Sequence, residues 1–354
     1  MSTKNAKKPL RIEQYETVAY NLNLNPLGVP ASVSSAIKRN AENIMTYPDK
    51  YYDQLKDAIK NYAKCEKEHL VLGTGCSDLL RIYTSLISPK KAMLLTPCNK
   101  EYEKVLSVFN CEIDYYELKE NENFNLNLMD FVPKLDSSYD VIIIGNPNNP
   151  TSQVIDREDM ETLAEVCKTL EIFLIIDEMY MEFTENCDEL TSIPLVQNYD
   201  NIAVIRSIAK FFACPGLRMA YSVMSNKAYL NTINLYSAPN SISTMSALGC
   251  IELFKDQKYI DESRSQVFTE RNLIYSAMFP NKNLQLFKPY GNFMLVKILK
   301  KGVTAANVIE HCKLRGLILR NCEDIRGLDN KYFRFCFMNP KQNDLLVNTI
   351  LELF

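Results

Sequence analysis

The chain is poor in the residues that many active sites depend on. It has ten glycines in 354 residues, two histidines (His69 and His311) and no tryptophan. Glycine is usually about 7% of a soluble protein, so each of these ten is expected to mark a place where the backbone needs it. Two histidines exclude a histidine-rich metal site, and a histidine triad would consume one of them. The net charge of −3 lacks the basic excess of a nucleic-acid-binding chain. No apolar run approaches the roughly 18 residues of a membrane span. The opening MSTKNAKKPLRIEQ is polar and has no apolar core, unlike a secretory signal. The eleven cysteines are odd in number, scattered, and without a CxxC pair. They read as free thiols in a reducing compartment, with neither disulfides nor zinc. The expectation is a cytoplasmic protein.

What is present is an alternation of short apolar runs and amphipathic stretches. The runs are 70–72, 92–96, 141–145, 172–176, 202–206 and 219–224. They are continuous rather than alternating, as strands buried on both faces are. Helical stretches are predicted near 77–87, 100–109, 156–170 and 190–198. This is an α/β pattern with a mostly parallel sheet. Beyond about 225 the pattern changes to helices near 226–236 and 241–279. Shorter strands then follow at 293–298, 317–320 and 332–338, with helices near 304–315 and 340–353, as in a smaller α+β unit.

Ligands of open parallel sheets sit at the carboxyl ends of the strands. After the first run stands Gly73-Thr74-Gly75-Cys76-Ser77-Asp78, either an anion-binding helix start or a tight turn capped by Ser77 or Asp78. After VIIIG stands Asn146-Pro147-Asn148-Asn149-Pro150-Thr151, a rigid loop bearing amides. After IFLII stand Asp177 and Tyr180. A carboxylate there is costly unless it meets a cation, though a helix cap or ion pair also accounts for it. After IAVIR stand Ser207 and Lys210, then Arg218. A lysine flanked by apolar residues suits Schiff-base chemistry if buried, whereas at the surface it would merely snorkel. An anion cradle, an amide loop, a buried acid and a lysine together match one ligand, pyridoxal phosphate.

At this point the sequence resembles the fold-type I pyridoxal-phosphate enzymes of the class I/II aminotransferase family. Within that family it is most similar to threonine-phosphate decarboxylases and histidinol-phosphate aminotransferases. The motifs are NLNLNPLGVP, TYPD, GTGCSD, NPNNPT, IIDEMYMEF, RSIAKFFACPGLRMAY, GNFML and ILRNCEDIRGLDNKYFRF, and six of the ten glycines fall within them. The resemblance implies residues 1–45 as an N-terminal arm packing with the small domain. It implies 46–254 as the large cofactor-binding domain and 255–354 as the small C-terminal domain.

The resemblance also implies residue roles. Lys210 holds the cofactor and shuttles the proton. Asp177 pairs with the ring nitrogen, and Asn149 and Tyr180 bond the ring oxygen. Gly75, Cys76, Ser77, Ser207 and Arg218 surround the cofactor phosphate, with Tyr47 reaching in from a second subunit of a homodimer. Arg334, Asn23 and Asn292 bind substrate, and Arg320 binds a substrate phosphate, with Arg326 as its competitor. No metal is implied. The chain departs from the family pattern at Asn99, where the ring-stacking aromatic usually stands and for which Tyr102 is the expected replacement. It departs again at Ala209, Ser152 and Asn240-Ser241-Ile242-Ser243. The activity implied is transfer of an amino group from a small amine or amino acid carrying a phosphate or phosphonate. The alternative is decarboxylation of an O-phospho-amino acid. A non-catalytic regulator is the remote third, against which the intact lysine, aspartate, tyrosine and arginine stand.

Overall fold

The computed structural model describes residues 17–236 and 240–354. The polar opening segment and the first part of the expected arm lie outside the described residues. Seven strands form the large sheet: β1 (Leu70–Gly73), β2 (Lys91–Thr96), β3 (Glu112–Glu117), β4 (Val141–Gly145), β5 (Phe173–Asp177), β6 (Ile202–Ser207) and β7 (Ala220–Val223). Their order is β1-β7-β6-β5-β4-β2-β3. All pairs are parallel except those that β7 makes with β6 and β1.

The central runs are buried on both faces, as their continuous apolarity predicts. Ile142, Ile144, Leu174, Ile176 and Val204 enter one core. Their chain neighbours Val141, Ile143, Phe173, Ile175, Ala203 and Ile205 enter the other. Strand β3 is the one strand of the large sheet that the sequence pattern did not predict. Its EIDYYE is half exposed at the sheet edge, so it needs no apolar run.

A second sheet, wholly antiparallel, has the order β10-β11-β9-β8. Its strands are β8 (Leu284–Leu286), β9 (Phe293–Ile298), β10 (Arg320–Asn321) and β11 (Tyr332–Cys336). The strand expected at 317–320 is shorter than predicted, because Leu317 instead makes a parallel bridge to Val18. The stretch 241–279 is two helices, Thr244–Leu253 and Gln257–Met278, the second capped by the Asp256 carboxylate accepting from the Tyr259 amide. Pro194 breaks the expected helix at 190–198, leaving single turns at Cys187–Leu190 and Ile193–Gln197.

The segment from Val18 to Asn25 threads between the two sheets. The Val18 amide donates to the Gly316 carbonyl (2.9 Å), the Cys336 amide to the Tyr20 carbonyl (2.9 Å) and the Asn25 amide to the Lys210 carbonyl (3.1 Å). All eleven cysteines are free thiols. Among the described residues, no helix is long and apolar enough to cross a membrane. No acid, cysteine or histidine cluster among them is arranged to hold a metal.

Behind the ends of β5 and β6 lies a buried ion cluster. Arg206 contacts Glu178 at 2.8 Å and Glu182 at 3.1 Å. Glu178 also accepts from the Thr191 hydroxyl (2.7 Å) and the Ser192 amide (2.6 Å). Removing one partner of such a cluster leaves an uncompensated buried charge. Arg206→Met strands two carboxylates and should destabilise the fold by about 3–5 kcal/mol, read as a drop in the urea unfolding midpoint. A loss under about 1 kcal/mol would show that the cluster behaves as a surface pair.

Candidate active site

The carboxyl ends of β4, β5 and β6 open onto a cavity of about 290 Å³. It is lined by Asn23, Cys76, Ser77, Asn149, Asp177, Tyr180, Lys210 and Arg334, together with Asn21, Leu22, Leu80, Asn99, Glu101 and Met179. Eight of the fifteen residues singled out in the sequence therefore meet in one place.

Asp177 ends β5 and is 5% exposed. Its carboxylate accepts from the Tyr102 hydroxyl at 2.9 Å and from the Met179 amide at 3.1 Å. Burial outweighs both contacts and lifts its pKa from 3.8 to about 6. Lys210 lies on the single turn Ile208–Phe211 that follows β6. Its Nζ donates to the Leu22 carbonyl at 2.7 Å. Burial first, and then the nearby Arg334 guanidinium, lower its pKa. The Tyr180 hydroxyl accepts from Asn23 Nδ2 at 3.2 Å, and burial raises its pKa to about 12.

Arg334 comes from β11 of the small sheet and is buried. It donates to Asn149 Oδ1 and, at 2.9 Å, to the Asn21 carbonyl. Its Nε has no partner, and among the described residues no carboxylate pairs with it. A buried guanidinium without a counter-ion is costly, which marks the cavity as a binding site for an anion.

The remaining expected residues lie around this cavity or away from it. Gly75 begins the helix Cys76–Ile87 at φ +138°, and a Cβ there would come within 2.8 Å of Arg218 Nη2. Ser207 is buried, its hydroxyl accepting from the Ala209 amide at 3.2 Å. Asn292 is buried behind Asn23, donating to its carbonyl at 3.0 Å. Arg320 does not line the cavity and is bound to Asp324. Tyr47 is 88% exposed and away from it. Tyr102, expected to replace the stacking aromatic, does not line the cavity either. It is buried beneath Asp177, in space left by Gly145, where a Cβ would meet its hydroxyl at 3.0 Å. Asn99 itself lines the cavity, its Oδ1 accepting from the Glu101 amide.

The sequence reading missed Asn21 and Leu22. Both contribute backbone carbonyls, for which only the NLNLN motif gave a hint. It also missed Arg206, which packs behind the site.

Asp177 gives the cofactor-free chain a pH signature. Its folded pKa lies above the unfolded value, so the folded state holds the proton more tightly. The resulting penalty is full above pH 6, is relieved as the pH falls through 6, and is gone below about 4, amounting to some 2–3 kcal/mol. Cofactor-free Asp177→Asn should therefore be more stable than wild type at pH 7.5 and nearly equal to it at pH 3.5 by urea unfolding. A gap independent of pH would overturn this assignment.

Comparison with known proteins sets this geometry in a family. The model for aminotransferase class I and II matches residues 18–350. The chain is 28% identical to threonine-phosphate decarboxylase of Salmonella typhimurium, across 96% of this chain and 91% of that protein. It is 26% identical to histidinol-phosphate aminotransferase of Methanosphaera stadtmanae, across 99% and 94%. The crystal structure of histidinol-phosphate aminotransferase from Clostridium acetobutylicum superposes with a TM-score of 0.88 at 28% identity, covering 95% of this chain and 98% of that one. With its fold and nearly its whole length matched, the chain belongs to the class I and II aminotransferase family, whose cofactor, pyridoxal 5'-phosphate, is also its own.

Proposed function

We propose that this enzyme transfers the amino group of a small amine or amino acid bearing a phosphate or phosphonate group. The reading is carried by the joint presence on one cavity of Lys210, an amine with a lowered pKa, and Arg334, a guanidinium with no counter-ion among the described residues. The side chains suit the cofactor. Asp177 has no cation beside it among the described residues, and a ring nitrogen that carries a proton would supply one. Lys210 offers the amine for the aldehyde, while Tyr180 and Asn149 offer hydrogen bonds to the ring oxygen. The helix start at Gly75-Cys76-Ser77, with Ser207 and Arg218, offers donors to the phosphate. Bound there, pyridoxal phosphate acts as an electron sink for the bonds at the substrate's Cα.

The chain's own residues do the rest. Lys210, its pKa lowered by burial and by Arg334, is suited to taking the Cα proton and returning it at the other end of the transfer. Arg334, positioned by Asn149 and the Asn21 carbonyl, holds the substrate carboxylate through its planar fork. Tyr102 acts through Asp177: its hydroxyl keeps the carboxylate oriented and charged against the pull of burial. Asn292 positions Asn23.

We extend the reading to a homodimer in which Tyr47 completes a neighbour's site. It is supported by the exposed apolar group Ile44, Met45, Tyr47 and Tyr51. The proposed units are an arm to residue 45, a large part to 254 and a small part beyond it.

A second reading, decarboxylation of an O-phospho-amino acid, is supported by the name of the Salmonella relative. To separate the two, the holoenzyme is incubated with O-phosphothreonine, O-phosphoserine, histidinol phosphate and aminoethylphosphonate. Carbon dioxide release and conversion of the cofactor to its amine form are followed together. Amine-form accumulation without carbon dioxide is expected, and the reverse would sink the transfer reading. Lys210→Ala should lose the visible absorbance of the bound cofactor together with nearly all turnover. Retained absorbance would show that another residue holds the cofactor.

A further inference from the structure

Ser152 is one of the departures from the family pattern, and it closes the loop that carries Asn149. It is wholly buried and held at φ +62°, in the left-handed region that favours glycine. A side chain in that conformation persists where its surroundings hold it there. The hold comes from the segment leading into β9. The Ser152 hydroxyl accepts from the Gly291 amide at 2.9 Å, and its carbonyl accepts from the Tyr290 amide at 3.0 Å. Its own amide donates to the Asn148 carbonyl at 2.7 Å, tying the residue back to its loop. Its chain neighbour adds a further tie, Gln153 Nε2 donating to the Lys288 carbonyl at 3.0 Å.

The two residues after Gly291 are the ones this segment delivers to the site. Asn292 holds the Asn23 carbonyl, and its own carbonyl accepts from the Phe337 amide at 2.9 Å. Phe293 is fully buried, its ring inclined at 72° to that of Tyr180 with the centroids 4.8 Å apart. The Arg334 guanidinium lies over the same ring, Cζ standing 5.3 Å from its centroid. A desolvated guanidinium over an aromatic face is attracted by the ring's quadrupole. Arg334 has no carboxylate partner among the described residues, so this face is part of what holds it. Gly291 sits at the centre of the arrangement. A Cβ there would lie 3.2 Å from Ser152 Oγ, 3.6 Å from the Phe293 ring and 3.8 Å from Tyr180 Cβ.

We infer that Ser152 is a positioning residue: its hydroxyl fixes the Gly291 amide and thereby seats Phe293 against Arg334. This role rests on the aminotransferase reading above, in which Arg334 holds the substrate carboxylate. Ser152 does not line the cavity and acts through Phe293. Without the hydroxyl, the Gly291 N–H is buried and unpaired. The segment then shifts toward another acceptor, Phe293 moves with it, and Arg334 loses its support. Asp177 and Lys210 stand on other elements, so the cofactor keeps its anchors.

The test is a binding titration of the holoenzyme, read by cofactor absorbance, with O-phosphoserine and O-phosphoethanolamine, which differ only in the carboxylate. Wild type is compared with Ser152→Gly, Gly291→Ala and the double variant. Glycine accepts the backbone conformation at 152, so Ser152→Gly removes the hydroxyl without straining the loop. Gly291→Ala keeps the hydroxyl but presses a methyl against it. Each single variant should weaken O-phosphoserine about tenfold, leaving O-phosphoethanolamine and the cofactor within about twofold of wild type. In the double variant the methyl enters the space left by the hydroxyl, so the loss should stay about tenfold instead of multiplying to about a hundredfold. Equal losses for both ligands, a loosened cofactor, multiplying losses, or no loss in Ser152→Gly would overturn the assignment. Failure of the underlying reading looks different: wild type itself would bind the two ligands equally, and the assignment would fall with it.

Discussion

The site depends on a guanidinium that never touches it. Arg206 lies behind the ends of β5 and β6 and binds Glu178 and Glu182 in the interior. Side chains alternate across a strand, so the residues next to this pair, Asp177 and Ser207, face the other way, into the site. Fixing one face of the two strand ends fixes the other. Buried ion pairs add little net stability compared with apolar packing, and their best-attested use is to specify register. Here the register matters. A slip of one residue would send Asp177 into the core and Glu178 into the cavity.

The cavity groups share a second property. Asp177 is pushed toward its neutral form, Lys210 is pushed toward its neutral form, and Arg334 finds no carboxylate among the described residues. Each is a group whose desolvation the protein alone leaves partly uncompensated. Cofactor and substrate provide the missing partners, so binding and folding stability are linked.

Much of this was legible in the amino-acid order because central parallel strands are apolar on both faces. VIIIG, FLII and IAVI could be buried in no other way, and their ends pointed to Asn149, Asp177 and Lys210. What was hidden followed different physics. β3 sits at an edge and keeps polar residues. Leu317 pairs with Val18, a partner no local pattern announces. Asn21 and Leu22 contribute carbonyls, which every residue has, so their side chains say nothing. Tyr102 was read as a surface for the cofactor ring. The small residue that draws it under Asp177, Gly145, is distant in sequence. Arg206 looked like the polar end of an apolar strand, since its burial depends on two glutamates just beyond the end of the neighbouring strand β5.

The segment carrying Tyr20, Asn21 and Asn23 precedes the large sheet in the chain, whereas β11, which donates hydrogen bonds to its carbonyls and supplies Arg334, follows it. The cavity wall is closed by contacts between these two stretches. Contacts so far apart in sequence form late and slowly. The large sheet can be assembled while Lys210 and Asp177 still lack their neighbours from both flanks. The competent site arises in one step, when the two distant stretches of the chain meet.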